Sequence, residues 1–181
     1  MFISKLRKEK GQAIVEFALI IPLFIFLILA IIELGWISYQ SNMFARSYAY
    51  AAWDITAEKL SDMDPLTRAG SDSTYSGAAV STLIADTMKD SALWGFNSSG
   101  LSVSNARAKL YNRESKFTVP GKDSGTSVEA TTIKRYMRLE AKLEYRITPM
   151  TSLGNVLFSG MLNQEKNLNY ERVVGAQHRS E

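Results

Sequence analysis

The sequence contains no cysteine and only one histidine, His178, which lies near the C-terminus. The lack of cysteine excludes disulfide frameworks, thiolate metal sites and cysteine nucleophiles. A lone histidine near the chain end disfavours histidine-rich metal sites and serine triads. The sequence also has no glycine-rich phosphate loop and no pair of carboxylates at a catalytic spacing. We therefore expect a protein that is not an enzyme and uses neither a cofactor nor a metal.

Excess positive charge is confined to a short N-terminal segment. The formal net charge of the chain is +3, and the four basic residues and one acidic residue within residues 1–11 account for all of it. The rest of the chain is formally neutral, so the sequence does not indicate a basic surface of the kind that binds nucleic acids. We expect no nucleic-acid partner.

An apolar stretch, Ala13 to Ile32, follows the basic segment directly. Eighteen of its twenty residues are apolar, the exceptions being Glu16 and Pro22. At a rise of about 1.5 Å per residue, a helix of this length spans roughly 30 Å, the thickness of a bilayer core. The stretch predicts one membrane-spanning helix. Because the basic residues lie on its N-terminal side, the N-terminus is expected in the cytoplasm and everything after about Gly35 outside.

A cleaved secretory signal peptide is the alternative interpretation of the same pattern. Its apolar region is typically about 7–15 residues long, shorter than the stretch found here. The first small-x-small site downstream, Ala49-Tyr50-Ala51, begins seventeen residues after Ile32. That distance is too great for a cleavage site, which favours a retained anchor.

The boundary between the basic and apolar segments carries an unusual carboxylate. Insertion of the Glu16 carboxylate costs on the order of 2–3 kcal/mol if it lies deep in the bilayer, and less if it reaches the headgroups. A glutamate at the membrane boundary that reaches the headgroups is the simpler interpretation of this residue. A cut after Gly11 would instead free the α-amine of Gln12, a cation at neutral pH. Glu16 lies one helical turn further along the same face. We therefore hypothesise that it pairs with this amine or with that of a neighbouring subunit.

The segment from Gly11 to Phe17, GQAIVEF, resembles the processing site of type IV prepilins. In those proteins a prepilin peptidase cuts after the glycine, and glutamate becomes the fifth residue of the mature chain. Residues 16–22 (EFALIIP) and 32–35 (IELG) are similar to the N-terminal segment of the TadE-like family, the pseudopilins or minor pilins of the tight-adherence (Flp) pilus system. A shorter similarity covers residues 147–150 (ITPM). One departure is Gln12, where classical type IV pilins prefer phenylalanine, so classical N-terminal methylation is left open.

The resemblance implies a structural subunit for pilus biogenesis, cut between Gly11 and Gln12, with Glu16 and Phe17 acting in processing or assembly. The implied partners are a prepilin peptidase, other pilins or pseudopilins, the inner-membrane assembly platform and membrane lipid. The implied location is the bacterial cytoplasmic (inner) membrane, crossed once, with a possible place in the pilus itself. The alternative is an unprocessed bitopic membrane protein whose outer domain binds a ligand or an envelope partner.

The helix is expected to continue beyond the membrane, because neither glycine nor proline occurs between Trp36 and Pro65, and to end near Ser61. Trp36 and Tyr39 suit the membrane interface. A set of large side chains repeats at heptad-like spacing and predicts the face that packs on the outer domain. This set comprises Trp36, Tyr39, Met43, Tyr50 and Trp53.

The remaining sequence predicts a small mixed domain. Apolar residues at helical spacing predict a helix over 79–88, and turn-forming residues predict loops over 67–77, 97–100 and 120–127. Strict alternation from Tyr136 to Ile147 predicts a strand with one buried face. Further strands are expected over 101–110 and 168–174, before a polar tail.

We therefore expect an α+β fold, in which a long N-terminal helix, membrane-spanning in its first half, carries a small extracytoplasmic head with an antiparallel sheet. The predicted segments are a basic cytoplasmic leader (1–11), a transmembrane helix (12–35), a helix extension (36–61) and an extracytoplasmic α+β domain (62–181).

Overall fold

The computed structural model describes residues 2–60, 72–92, 94–120 and 127–180, with the side chains of 2–11, 13 and 178–180 left out of the description. A long N-terminal helix carries a four-stranded antiparallel sheet, so the predicted α+β fold is confirmed.

The first helix, α1 (Phe2–Asp54), is continuous for 53 residues and includes Pro22. Its apolar part projects away from the head, and none of its most apolar 18 residues is buried by other parts of the chain. Apolar side chains exposed along a helix of this length match what the interior of a bilayer requires. The stretch is therefore a candidate membrane span.

The end of the helix differs from the prediction of an element that runs to about Ser61. The α1 helix ends at Asp54, and after Ile55 and Thr56 a short helix α2 (Ala57–Leu60) follows, while Ser61 lies outside the described residues. The break occurs because Ile55, which is completely buried, turns into the core of the head. The Arg172 guanidinium donates to the carbonyls of Trp53 and Ile55, at 2.7 and 2.6 Å. It thereby satisfies acceptors at a helix end that has no basic residue of its own.

The sheet has the order β1-β2-β3-β4, formed by β1 (Ser73–Ser76), β2 (Leu101–Pro120), β3 (Ser127–Arg146) and β4 (Asn163–Ser180). Neighbouring strands are all antiparallel. β1 lies within the predicted loop over 67–77, and that part of the prediction is wrong. This polar edge strand is held by backbone pairing with residues 107–110 of β2, which its side chains do not reveal. Residues 67–71 and 121–126 of the two predicted loops lie outside the described residues.

The alternation predicted for β3 is confirmed. Met137, Leu139, Leu143 and Tyr145 are at most 1% exposed, while the charged residues between them face the other side. The three predicted strands are all longer than expected, although β3 ends at Arg146, one residue before the predicted end, and β4 includes most of the tail that was expected to follow it. The tail pairs with residues 130–135 of β3 through its backbone, whatever the polarity of its side chains.

The predicted helix over 79–88 is confirmed as α3 (Ala78–Asp90), which buries Val80, Ile84 and Met88. The predicted turn over 97–100 contains a single 3-10 turn (Ser98–Gly100). After β3 comes a short helix α4 (Ser152–Leu157) and another 3-10 turn (Ser159–Met161).

The face of α1 that packs on the head is not the predicted aromatic face. Of the predicted set, only Met43 is buried, and Trp53 is 67% exposed. The buried face combines apolar, small and polar residues: Glu33, Ile37, Gln40, Phe44, Ser47 and Ala51. Small side chains allow the helix to lie close to the sheet, which leaves the largest rings at the margins of the contact. Residues 33–55 and the following domain therefore share one core.

Candidate functional sites along the N-terminal helix

The predicted processing site lies inside α1. Gly11 and Gln12 have helical backbone, and the side-chain amide of Gln12 donates to Oε1 of Glu16 at 3.1 Å. The structure thus brings Gln12 and Glu16 together on one face, as the i+4 spacing predicts. Phe17 is 67% exposed and has no role in the core of the head.

This arrangement has a chemical consequence for cleavage. A peptide bond in a helix must be locally unwound before a protease can bind it in an extended form. Glycine lowers the cost of unwinding, because it is about 1 kcal/mol less favourable than alanine in a helix interior. After a cut at Gly11, the new α-amine would belong to Gln12, the residue that already contacts the Glu16 carboxylate.

A second carboxylate, Glu33, lies at the other end of the apolar stretch and is only 2% exposed. Its Oε1 accepts a hydrogen bond from the backbone N–H of Met150 at 2.7 Å. Its Oε2 accepts from the backbone N–H and the hydroxyl of Thr151, at 3.1 and 2.9 Å. Buried carboxylates require such donors, so Glu33 fixes the loop after β3 against the helix where the helix leaves the apolar stretch.

Gly154 makes this close approach possible. A Cβ at residue 154 would overlap Oε1 of Glu33 and would lie 2.6 Å from Cβ of Pro149, well inside van der Waals contact. The Thr151 side chain also accepts a hydrogen bond from the Gly154 N–H and caps α4. The loop therefore has room for the Glu33 carboxylate only because position 154 has no side chain.

Gln40, two turns further along α1, holds the same loop at a second point. Its Nε2 donates to the carbonyl of Thr148 at 2.7 Å, and its Oε1 accepts from the Thr148 N–H at 3.2 Å. The Tyr145 hydroxyl donates to the same oxygen at 3.2 Å. Trp36 Nε1 donates to the Thr148 carbonyl at 2.9 Å. These bonds align α1 with the end of β3.

Tyr145 lies at the centre of the contact between α1 and the sheet. Its ring stacks on Phe44 and Phe96, with centroid distances of 5.1 and 4.9 Å. Burial raises the pKa of the Tyr145 hydroxyl above its ordinary value of 10.0, although the hydrogen bond donated by the Asn97 N–H opposes the shift. The protonated hydroxyl is what allows Tyr145 to donate to Gln40.

Sequence reasoning noted both segments of the Glu33 site as family-like but did not predict that they touch. The available signal was the spacing of Glu33, Gln40 and Ser47, three polar residues seven positions apart on a helix. All three are buried on one face. Polar residues at heptad spacing are easily interpreted as a solvent-facing stripe, and the aromatic set beside them gives the stronger apolar signal.

Ion pairs join the charged side chains on the solvent-facing side of β3. Arg138 contacts Glu140 at 2.8 Å, and Lys142 contacts Glu144 at 2.6 Å and Glu165 at 3.4 Å. The hydrogen bond to Glu144, with its negative charge, raises the pKa of Lys142. All five side chains are at least 39% exposed, so this face interacts with water as well as with itself.

Among the side chains that the structure describes, no group of three or more histidine or acidic residues is placed to hold a metal ion. An open cavity of about 640 Å³ lies between α2, β1 and α3. Its described lining includes Leu60, Tyr75 and Leu83.

Comparison with known proteins agrees with the resemblance seen in the sequence. The profile of the family described as TadE-like protein matches residues 11–52. The match begins at Gly11 and includes Glu16, Glu33 and Gln40, although it covers less than half of the chain. Neither a curated protein nor a solved structure matches the chain. The family resemblance is confirmed for the helix that spans both candidate sites.

Proposed function

We propose that this protein is a pseudopilin or minor-pilin-like structural subunit for biogenesis of a tight-adherence (Flp, type IVb-like) pilus. A prepilin peptidase processes it between Gly11 and Gln12. The observation that carries the proposal is the family match, which begins at Gly11, the residue that would precede the cut. The role is structural and non-catalytic.

The orientation follows from charge. The leader, residues 1–11, contains the whole formal excess of +3 and holds the N-terminus in the cytoplasm. Cleavage removes that charge and leaves one α-amine, which the Glu16 carboxylate can neutralise. A helix whose N-terminal cation and inner carboxylate are paired is far less costly to move out of the bilayer and into a stack of helices. The partners are then other pilin-like subunits and the inner-membrane assembly platform.

The position of the head supports retention of α1. A signal-type cut within Ala49–Ala51 would remove Ile37, Phe44 and the Glu33 and Gln40 bonds from the core. The sheet would lose the helix that covers its apolar face. Cleavage at Gly11 instead leaves every contact between α1 and the head intact.

The test is the mature N-terminus of the full chain, isolated from membranes of cells that contain the pilus system. We expect a sequence beginning at Gln12 and a mass lower by residues 1–11. Gly11→Leu should block the cut, because leucine stabilises the helix that must unwind and lacks the backbone freedom of glycine. Gln12→Ala, the matched control, should still be processed.

Other N-termini would contradict the proposal in distinguishable ways. A chain that begins at Met1 in cells with an active peptidase would favour the unprocessed bitopic membrane protein. A chain that begins near Ala52 would show a cleaved signal peptide. Processing of Gly11→Leu at the wild-type level would show that Gly11 does not direct the cut.

A further inference from the structure

After the apolar stretch, four segments of twelve or more residues contain no charged residue, and one of them, residues 73–85, belongs to β1 and α3. The other three come together in the structure. They are residues 34–45, 91–106 and 147–164, in a chain of which 22% is charged. The segments come from α1, from the connection between α3 and β2, and from the connection between β3 and β4. They are far apart in the sequence, but hydrogen bonds and ring contacts bring them together.

The contacts place all three segments where α1 leaves its apolar stretch. The backbone N–H of Met150 donates a hydrogen bond to Glu33, the residue that follows the last apolar residue of the stretch, Ile32. The Tyr39 hydroxyl donates to the carbonyl of Trp94 at 2.8 Å, and the Trp36 and Trp94 rings meet edge to face with centroids 5.6 Å apart. Loop 147–161 and the region of Trp94 therefore surround the first turns of the helix outside the apolar stretch. We name this end of the head the base.

The base exposes apolar side chains. Trp94 is 81% exposed and Val156 is 77% exposed, values more typical of charged surface residues. The set also includes Met150, Leu153, Leu157 and Met161. A cluster of this kind on a protein surface marks an interaction site.

The base lies next to the end of the apolar stretch, because Met150 and Thr151 donate hydrogen bonds to Glu33. Ala30 is partly covered, whereas Ala18 on the same helix is exposed. Ala30 lies one turn before Glu33 on the same face, about 4.5 Å deeper along the helix axis. The hydrogen bond from Met150 to Glu33 therefore places the base within about one helical turn of the segment that would lie in hydrocarbon.

We propose that the base is a lipid-binding surface that sits in the headgroup layer of the leaflet from which α1 emerges, with Val156 and its apolar neighbours inserted at the acyl boundary. The proposal depends on the membrane span proposed above. Lipid fits this surface because its apolar side chains lie beside the point where α1 leaves its apolar stretch, where Met150 is hydrogen-bonded to Glu33. Tryptophan and tyrosine are favoured at that depth, and charged residues are disfavoured.

The experiment uses the absence of cysteine, since any introduced cysteine is the only labelling site. The full chain carrying Val156→Cys is labelled with an environment-sensitive nitrobenzoxadiazole dye. It is then reconstituted into phosphatidylethanolamine–phosphatidylglycerol vesicles. Some vesicles contain a lipid with a nitroxide quencher near the glycerol backbone. We expect a blue-shifted emission and loss of most of the fluorescence with that lipid.

Two matched positions make the result interpretable. Thr118→Cys lies on an exposed part of β2 at the opposite end of that strand from the base and should remain unquenched. Ile25→Cys lies in the middle of the apolar stretch and should be quenched by a lipid with the nitroxide deep in the acyl chain. If Ile25 is quenched and Val156 is not, the lipid-binding inference is wrong and the membrane span stands. If Ile25 is also unquenched, both are wrong.

A second copy of the chain is the competing occupant. It would protect the label at residue 156 from the lipid quencher while still shifting the emission, and the shift would disappear as protein is diluted into more lipid. That result would overturn lipid binding. Quenching that is independent of protein density supports it.

Discussion

Glu33 and Thr151 are 118 residues apart in the chain, yet the Glu33 carboxylate accepts hydrogen bonds from both the backbone N–H and the hydroxyl of Thr151. With the Met150 bond, this contact joins the end of the apolar stretch to the loop after β3. A segment inside the family match and a loop far outside it therefore form a single structural site. Four of the five predictions below concern this contact, the core around it and the strand that leads to it.

Gly154→Ala should destabilise the head by about 1–3 kcal/mol, because its Cβ would meet Glu33 and Pro149 at distances no packed core tolerates. Gly160→Ala is the matched control, since a Cβ there has no neighbour within 4 Å. Denaturant unfolding of the full chain in detergent micelles, followed by tryptophan fluorescence, measures both. Equal stability of the two variants would show that the loop can move away from Glu33 at no cost.

Removing residues 1–53 should prevent the head from folding, because the sheet would lose Ile37, Phe44 and Ala51 from its core. A chain that begins at Ile32 keeps Glu33 and the whole buried face of α1, so it should fold. Near-ultraviolet circular dichroism distinguishes the packed from the unpacked form. If the chain that lacks residues 1–53 folds, the domain after α1 is stable on its own and does not need the helix in its core.

Glu16→Ala should insert into the membrane at least as well as the wild type, because an intramembrane charge is removed. Assembly should fail, since the amine of Gln12 would have no partner. Glu16→Gln retains the size and the hydrogen-bonding capacity of the side chain but not its charge, so it should show the same assembly defect. Resistance of membrane fractions to alkaline extraction measures insertion, and crosslinking to partner pilins measures assembly. Normal crosslinking in both variants would exclude the pairing role.

Leu143→Asp should destabilise the head severely, because it places a carboxylate at a completely buried position. Glu144→Lys changes an exposed residue and loses one surface ion pair, so a cost within about 1 kcal/mol is expected. Thermal melts of the full chain give the comparison. If Glu144→Lys folds normally but blocks pilus assembly, the charged side of β3 is a docking surface rather than a solvated one.

Tyr145→Phe should lower the free energy of unfolding by about 1–2 kcal/mol at neutral pH, through loss of the bond to Gln40. Because folding raises the pKa of Tyr145 above 10.0, its stabilising effect is complete below about pH 10 and is lost as pH rises through the higher folded value. The difference between wild type and variant should therefore shrink above that pH. Tyr50→Phe, on an exposed face of α1, should follow the wild type at every pH. A difference that grows with pH would contradict the assignment.

Sequence periodicity predicted those helices and strands that are held in place by a buried apolar face. β3 and α3 bury one face each, and Leu143 and Ile84 lie where alternation and helical spacing place them. β1 and the end of β4 were missed because backbone pairing with a neighbouring strand holds them, and backbone pairing leaves no mark on side-chain pattern.

The two candidate sites also differed in whether the sequence could predict them. The Gln12–Glu16 contact is local, one helical turn, and could be predicted from spacing alone. The Glu33 site requires a loop more than a hundred residues away, and its buried glutamate has the composition of a surface residue. Only the folded chain shows that Gln40 and Glu33 face inward.

The α1 helix is continuous from Ile14 to Asp54, so no loop separates the head from the candidate membrane span. The direction in which the head faces therefore depends on how the helix is rotated about its own axis, that is, on which face of the helix contacts lipid or a neighbouring helix. Advancing the span by a single residue would lift the head by about 1.5 Å and turn it by about 100°. Any rotation or axial shift of the apolar part of α1 would therefore change the direction in which the surfaces of the sheet face.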